Sequence, residues 1–81
     1  MIISVFVPVL EKSYEFRIDE SVKVRYVIDE IIDIISKSEG DFEEEEASTA
    51  WLVSSQTHRT LSPDLSLNEN QVKDADMLLL I

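Results

Sequence analysis

The sequence predicts an α+β domain in which one helix packs across one face of a mixed sheet of four to five strands. Near the amino terminus, two short segments alternate apolar and polar residues with the two-residue period of strands. A 3.6-residue period follows them, and short apolar segments return in the last third of the chain. We therefore predict a single domain over residues 1–81 with the element order β-β-α-β-β-β.

The first two strands are predicted to form an antiparallel hairpin. In the first, which spans Ile2 to Val9, one side carries Ile3, Val5, Val7 and Val9. In the second, one side carries Tyr14, Phe16 and Ile18. About four residues, from Leu10 to Ser13, join the two segments, which is typical of a hairpin connection.

A helix is predicted after the hairpin, with Ser21 as its amino-terminal cap and Gly40 ending it. Its apolar residues fall within one arc of the helix surface, which we expect to face the sheet. These residues are Val24, Val27, Ile28, Ile31, Ile32, Ile34 and Ile35.

Acidic residues are concentrated in residues 39–50. Like charges at this density repel each other and stay solvated, so we predict an acidic loop there. We predict a third strand at Trp51–Ser55, a short fourth strand around Arg59–Leu61, and a last strand at Met77–Ile81.

Composition excludes most enzyme classes. The chain has no cysteine, one histidine and one glycine, which removes disulfide scaffolds, the usual zinc sites, phosphate-binding loops and dinucleotide fingerprints. The net charge of −10 disfavours nucleic acid and anionic membrane surfaces as partners. We expect no cofactor, no metal ion, no small-molecule substrate and no direct membrane insertion. No basic segment precedes the apolar start, so we predict no signal peptide and a cytoplasmic location.

Two clusters of polar residues have a composition that a chemical site could use. His58 and Arg59, with nearby serines and Asp64, lack an evident orienting partner or oxyanion loop, and a solvated turn is the preferred interpretation. Asp41, Glu43 and Glu45 are spaced like the start of a calcium loop. The glycine that such a loop requires is replaced by Glu46, so a solvated charge run is preferred there.

The order of elements, with one helix after a hairpin and a polar connection into the last strand, resembles the β-grasp fold of ubiquitin. Trp51-Leu52, Leu61-Ser62 and the segment from Asp74 to Leu80 also resemble the YukD and EsaB family, the small ubiquitin-like proteins of bacterial type VII secretion systems. That family has a glycine in the turn before the last strand. Ala75 stands there in this chain, so we predict that this position does not need a positive φ.

The β-grasp fold requires a core between the helix and one face of the sheet. We predict that this core consists of Ile3, Val5, Val7, Phe16, Ile18, Ile28, Ile31, Ile35, Leu52, Leu61, Leu67, Val72, Leu78 and Leu80. By alternation, Ile2, Phe6, Met77, Leu79 and Ile81 then face away from the helix. In a β-grasp sheet the first and last strands are adjacent, so we expect Ile2, Phe6, Met77 and Leu79 to form one apolar patch, which Val53 and Trp51 extend from the neighbouring strand.

The resemblance implies a non-catalytic adaptor or regulator of a type VII secretion system that binds proteins and is not conjugated to them. Its partner would be a secretion-machinery protein, such as the membrane ATPase or another membrane subunit, or a second copy of itself. The predicted protein-binding residues are Ile2, Phe6, Trp51, Val53, Arg59, Met77 and Leu79. Two alternatives stay open: a covalent modifier whose glycine tail lies outside this sequence, and an acidic decoy that mimics DNA.

Overall fold

The computed structural model describes residues 1–38 and 50–81 and contains one helix and one mixed sheet. The elements are β1 (Ile2–Val7), β2 (Lys12–Arg17), α1 (Val24–Ser38), β3 (Leu52–Ser54) and β4 (Met77–Leu80). The strand order is β2-β1-β4-β3, with β1 parallel to β4 and the other neighbours antiparallel. The predicted fold class is confirmed. Gly40 and the predicted acidic loop, apart from Ala50, lie outside the described residues.

The core lies between α1 and one face of the sheet, which we call the inner face. Every residue of the predicted core is buried, and Val24, Val27 and Ile32 of the helix join it. Ile34 does not, because its side chain is 42% exposed, so its predicted place in the helix stripe is wrong. It lies at the margin of the arc, where a side chain extends past the sheet into solvent.

The first strand of the hairpin is two residues shorter than predicted. β1 ends at Val7, and the amides of Leu10 and Glu11 donate to the carbonyls of Val7 (3.1 Å) and Pro8 (3.1 Å). The chain has therefore left the strand before Val9, whose side chain is 74% exposed and not on the core side as predicted. A two-residue period identifies the faces of a strand but not the residue at which the strand ends.

The start of α1 is capped by main-chain carbonyls from a distant segment. The Val24 amide donates to the Leu65 carbonyl (2.8 Å), and the Arg25 amide donates to the Pro63 carbonyl (3.1 Å). Ser21 is not the cap: its amide (2.9 Å) and hydroxyl (2.7 Å) both donate to Oδ1 of Asp19. The free amides of the first helical turn are thus satisfied by tertiary contacts rather than by a local side chain.

Asn70 organises the segment that supplies those carbonyls. Its side-chain Oδ1 accepts from the Ser62 amide (2.8 Å), and its Nδ2 donates to the carbonyls of Ser62 (3.1 Å) and Ser66 (2.8 Å). Ser66 and Glu69 form a reciprocal capping box, with each side chain accepting from the other residue's amide. Residues 62–70 are therefore held by their own polar side chains, although they belong to no strand.

The predicted fourth strand is reduced to a single bridge. Thr60 pairs with Val53, while the Ser54 amide donates to the Arg59 carbonyl (2.9 Å) and the Leu61 amide donates to the Leu52 carbonyl (2.8 Å). The sheet of the described chain therefore has four strands, and residues 59–61 cover the outer edge of β3.

The turn before β4 contradicts the prediction for Ala75, whose φ is +70° and lies in the left-handed region. Its amide donates to the Ile2 carbonyl (2.7 Å), and Oδ1 of Asp74 accepts from the Ile2 amide (2.7 Å). The Ser4 amide donates to the Asp76 carbonyl (3.0 Å). The docking of this turn against β1 fixes the backbone of Ala75, so the lack of glycine there does not mean that φ is negative.

We expect Ala75→Gly to stabilise the protein. The left-handed conformation costs a non-glycine residue about 1–2 kcal/mol, and the freedom that glycine adds to the unfolded chain offsets about 0.4–1 kcal/mol of that gain. A net increase in the free energy of unfolding of up to about 1 kcal/mol should appear in urea denaturation. Ala50→Gly is the control, because Ala50 has no positive φ and the same exchange should destabilise. Equal losses in both variants would contradict the strain at Ala75.

We also expect the pKa of the Asp19 carboxylate to depend on its hydrogen bonds from Ser21. Hydrogen bonds from the Ser21 hydroxyl and then from its amide lower the pKa of Asp19 below its usual value. Stabilisation by these bonds is present above the usual pKa of an aspartate and is lost as the pH falls through the lowered pKa. Ser21→Ala should raise the pKa of Asp19 in an NMR titration, whereas Ser21→Thr, which keeps a hydroxyl, should leave it low. An unchanged pKa in Ser21→Ala would contradict the assignment.

Candidate functional site

The candidate site is the face of the sheet opposite the helix. The strand register aligns Phe6 of β1 with Leu79 of β4, and Leu79 with Val53 of β3. One row of apolar side chains therefore crosses three strands. The neighbouring row aligns Ser4 with Met77.

A second apolar pair extends this face beyond the strand ends. The amides and carbonyls of Trp51 and Ile81 exchange two hydrogen bonds, of 2.8 and 2.9 Å. Leu52 and Leu80 are buried, so by alternation Trp51 and Ile81 point away from the core. Their exposed fractions are 48% and 66%.

We call this surface the outer sheet face and define it by seven apolar residues. Four of these side chains are exposed, namely Ile2, Met77, Trp51 and Ile81. The other three are half-buried and form the row of Phe6, Leu79 and Val53. The full set is Ile2, Phe6, Trp51, Val53, Met77, Leu79 and Ile81. A monomer seldom leaves a contiguous apolar surface of this kind in water without a use for it.

Six of the seven predicted binding residues come together on this face, and Arg59 lies at its border. The bridge to Val53 is made by Thr60, so Thr60 and not Arg59 stands level with the apolar row. Arg59 is exposed beside Ser54 at the edge of β3. The predicted set lacked Thr60 because its place depends on the turn at 55–58, where His58 has a φ of +58°.

Charges of both signs lie on both sides of the molecule. The solvent side of α1 carries Asp29, Glu30 and Asp33 together with Arg25 and Lys37, and Nζ of Lys37 lies 3.0 Å from Oδ2 of Asp33. On the sheet side, β2 contributes Glu15 and the oppositely charged Arg17 beside the apolar rows. The outer sheet face is thus bordered by charges of both signs.

His58 lies in an exposed turn, where its main-chain amide donates to the Ser54 carbonyl (2.9 Å). In the part of the chain that the structure describes, no three histidine, cysteine or acidic side chains lie close enough together to hold a metal ion. The calcium-like spacing of Asp41, Glu43 and Glu45 lies outside that part. The described geometry offers an apolar surface for contact with another molecule.

Residues 1–38 and 50–81 contain one helix, α1, and it is not long and apolar enough to cross a membrane.

No protein-family model and no curated protein matches this sequence. Among solved structures, the chain is similar to the ubiquitin-like domain of EccD5 from Mycobacterium xenopi. The TM-score is 0.79 at 21% sequence identity, and the match covers 99% of this chain and 90% of that one. The fold is ubiquitin-like. At this identity the likeness carries the fold alone.

The separation of inner and outer faces predicts opposite outcomes for two neighbouring residues of β4. Leu78 is fully buried, so Leu78→Ala should lower the free energy of unfolding by about 2–5 kcal/mol. Met77 is 45% exposed, so Met77→Ala should change it by no more than about 0.5 kcal/mol. Chemical denaturation of both variants tests the register of β4, and similar losses at the two positions would contradict it.

Proposed function

We propose that this protein is a non-catalytic adaptor or regulatory component of a bacterial type VII secretion system, and that it binds its partner through the outer sheet face. The observation that carries the proposal is the apolar row of Phe6, Leu79 and Val53, extended by Trp51 and Ile81, on the sheet face opposite the helix. Burial of such a surface against a partner is the main favourable term in protein association.

The secretion context rests on two similarities. The residues from Trp51 to Leu80 resemble the YukD and EsaB family, and the fold is similar to the ubiquitin-like domain of EccD5, a type VII secretion component. Both are ubiquitin-like, and neither likeness supplies a catalytic group. A membrane subunit of the system, such as its ATPase, is the proposed partner, and the protein would meet it on the cytoplasmic side.

The surroundings of the outer sheet face favour a partner that is apolar at its centre and polar at its margin. Glu15 and Arg17 border one side of the face, and Arg59 is exposed at the other. Border charges of this kind orient a partner and affect association rates more than affinity. The helix side would point away from the complex.

The test is capture of the cytosolic part of a type VII membrane subunit by the immobilised protein. The double variant Phe6→Asp, Leu79→Asp places two carboxylates in the centre of the outer sheet face and should weaken capture at least tenfold, a rough expectation for the loss of central apolar anchors. The matched control is Tyr26→Asp, Ile34→Asp, which changes two exposed apolar residues of α1 by the same amount of charge.

Circular dichroism must first show that both variants fold. Capture by the wild type and by the helix variant, but not by the sheet variant, supports the proposed function. If the helix variant loses capture and the sheet variant keeps it, the binding surface is assigned wrongly. If no variant captures any subunit of the system, the secretion role itself is contradicted.

A further inference from the structure

The open edge of β2 provides a second surface, distinct from the outer sheet face. β2 ends the strand order on one side, and β3 ends it on the other. The edge of β3 is covered, because Ser54 and Leu52 bond to Arg59 and Leu61. Among the described elements, β2 is therefore the strand whose outer edge is left open.

The hairpin register identifies the backbone groups on that edge. Met1 and Ile18 exchange two hydrogen bonds, since the Ile18 amide donates to the Met1 carbonyl (2.8 Å) and the terminal ammonium donates to the Ile18 carbonyl (3.1 Å). Bonded pairs recur every second residue of an antiparallel ladder, so the next pair is Ile3 with Phe16. The amides and carbonyls of Glu15 and Arg17 consequently point away from β1, toward the open edge.

The side chains along this edge alternate in a self-complementary way. Glu15 and Arg17 are exposed on the side of the sheet opposite the helix, whereas Phe16 faces the core. If a second β2 lies antiparallel with Phe16 opposite the partner's Phe16, then Glu15 lies opposite the partner's Arg17. The two-fold symmetry repeats this pair, with Arg17 opposite the partner's Glu15.

The neighbouring registers do not offer the same match. A shift of two residues in one direction places Glu15 opposite the partner's Glu15, and like charges directly across two strands are destabilising. A further shift of two places Glu15 opposite the partner's Ser13, with no charge pair. One register thus combines two opposite-charge pairs with hydrogen bonds between backbone groups that are otherwise solvated.

We propose that two copies of this chain pair antiparallel through β2 in that register and form one continuous eight-stranded mixed sheet. In this register residues 15–17 of the two β2 strands lie opposite each other, which is about 10 Å of strand. The interface is therefore much smaller than that of a stable permanent dimer. The net charge of −10 on each copy also opposes association. We therefore expect a weak, reversible dimer with a dissociation constant on the order of 100 μM.

The pairing leaves the outer sheet face uncovered and places two such faces side by side on one extended sheet. A partner that itself presents two binding sites would then be held by both, which strengthens binding without a new contact. This consequence rests on the proposed function, whereas the dimer does not.

Sedimentation velocity from about 10 μM to about 1 mM, a range that brackets the expected constant, tests the proposal with two charge reversals. Glu15→Arg opposes arginine to the partner's Arg17, and Arg17→Glu opposes glutamate to the partner's Glu15. Each variant alone should dimerise at least about tenfold more weakly than the wild type, because two attractive pairs become two repulsive ones. An equimolar mixture of the two should recover dimerisation, since one copy then carries two arginines and the other two glutamates at the edge.

Glu30→Arg is the matched control for Glu15→Arg, because it makes the net charge two units more positive in the same way but on the exposed side of α1, and it should associate like the wild type or slightly better. Circular dichroism confirms that each variant folds. A wild type that stays monomeric to about 1 mM overturns the proposal, as does a mixture that associates no better than the separate variants. A dimer abolished by Phe6→Asp, Leu79→Asp but kept by both charge reversals would overturn the β2 interface and assign association to the outer sheet face. Failure of the proposed function is read separately, from capture of the secretion subunit.

Discussion

The parallel pairing of β1 with β4 is the constraint on which the rest of this structure depends. It joins the two ends of the described chain, with Ser4 beside Met77 and Phe6 beside Leu79. Parallel neighbours need a long crossover, and here the crossover contains the helix and β3. Because the inner side of both strands is buried, a slip of one residue would expose Leu78 and bury Met77. The same register that closes the core therefore also assembles the outer sheet face.

The segment that leads into β4 keeps this pairing in place without regular secondary structure. Asn70 and the Ser66–Glu69 capping box hold residues 62–70, and those residues deliver the carbonyls that receive the first amides of α1. Further along, Asp74 continues the ladder beyond the last paired residue by accepting from the Ile2 amide. Helix and sheet are thus positioned relative to each other by one polar connection as well as by their shared core.

Periodicity predicted the parts of this fold that depend on burial, and it failed where backbone geometry depends on distant contacts. The buried positions of β1 and α1 followed from spacing, because the side of a strand or helix that faces a core must be apolar. Val9 and Ile34 were misplaced because both lie at the margin of such a pattern. The conformation of Ala75 and the carbonyl cap of α1 could not be predicted, since both arise from contacts with residues about 40 or more positions away in the sequence.

In the candidate site, too, periodicity predicted some positions and failed for those that depend on turn geometry. Alternation placed the apolar row of the outer sheet face, because outward positions follow from inward ones once the core is known. The position of Arg59 depends on an exposed turn with a left-handed His58, and no periodicity applies there. The open edge of β2 required both the strand order and the phase of the hairpin hydrogen bonds.

The two proposed surfaces use different chemical groups of one sheet, and this difference lets them act at the same time. The outer sheet face presents apolar side chains perpendicular to the sheet, whereas the β2 edge presents amides and carbonyls in its plane. The apolar row of the face and the backbone groups of the edge do not overlap, and pairing at the edge leaves Phe6, Leu79 and Val53 uncovered. The side chains of Glu15 and Arg17 are common to both surfaces, because they border the face and pair across the edge. Under the two proposals, one small acidic domain binds a secretion subunit by burial of apolar surface and pairs with a second copy through a strand edge.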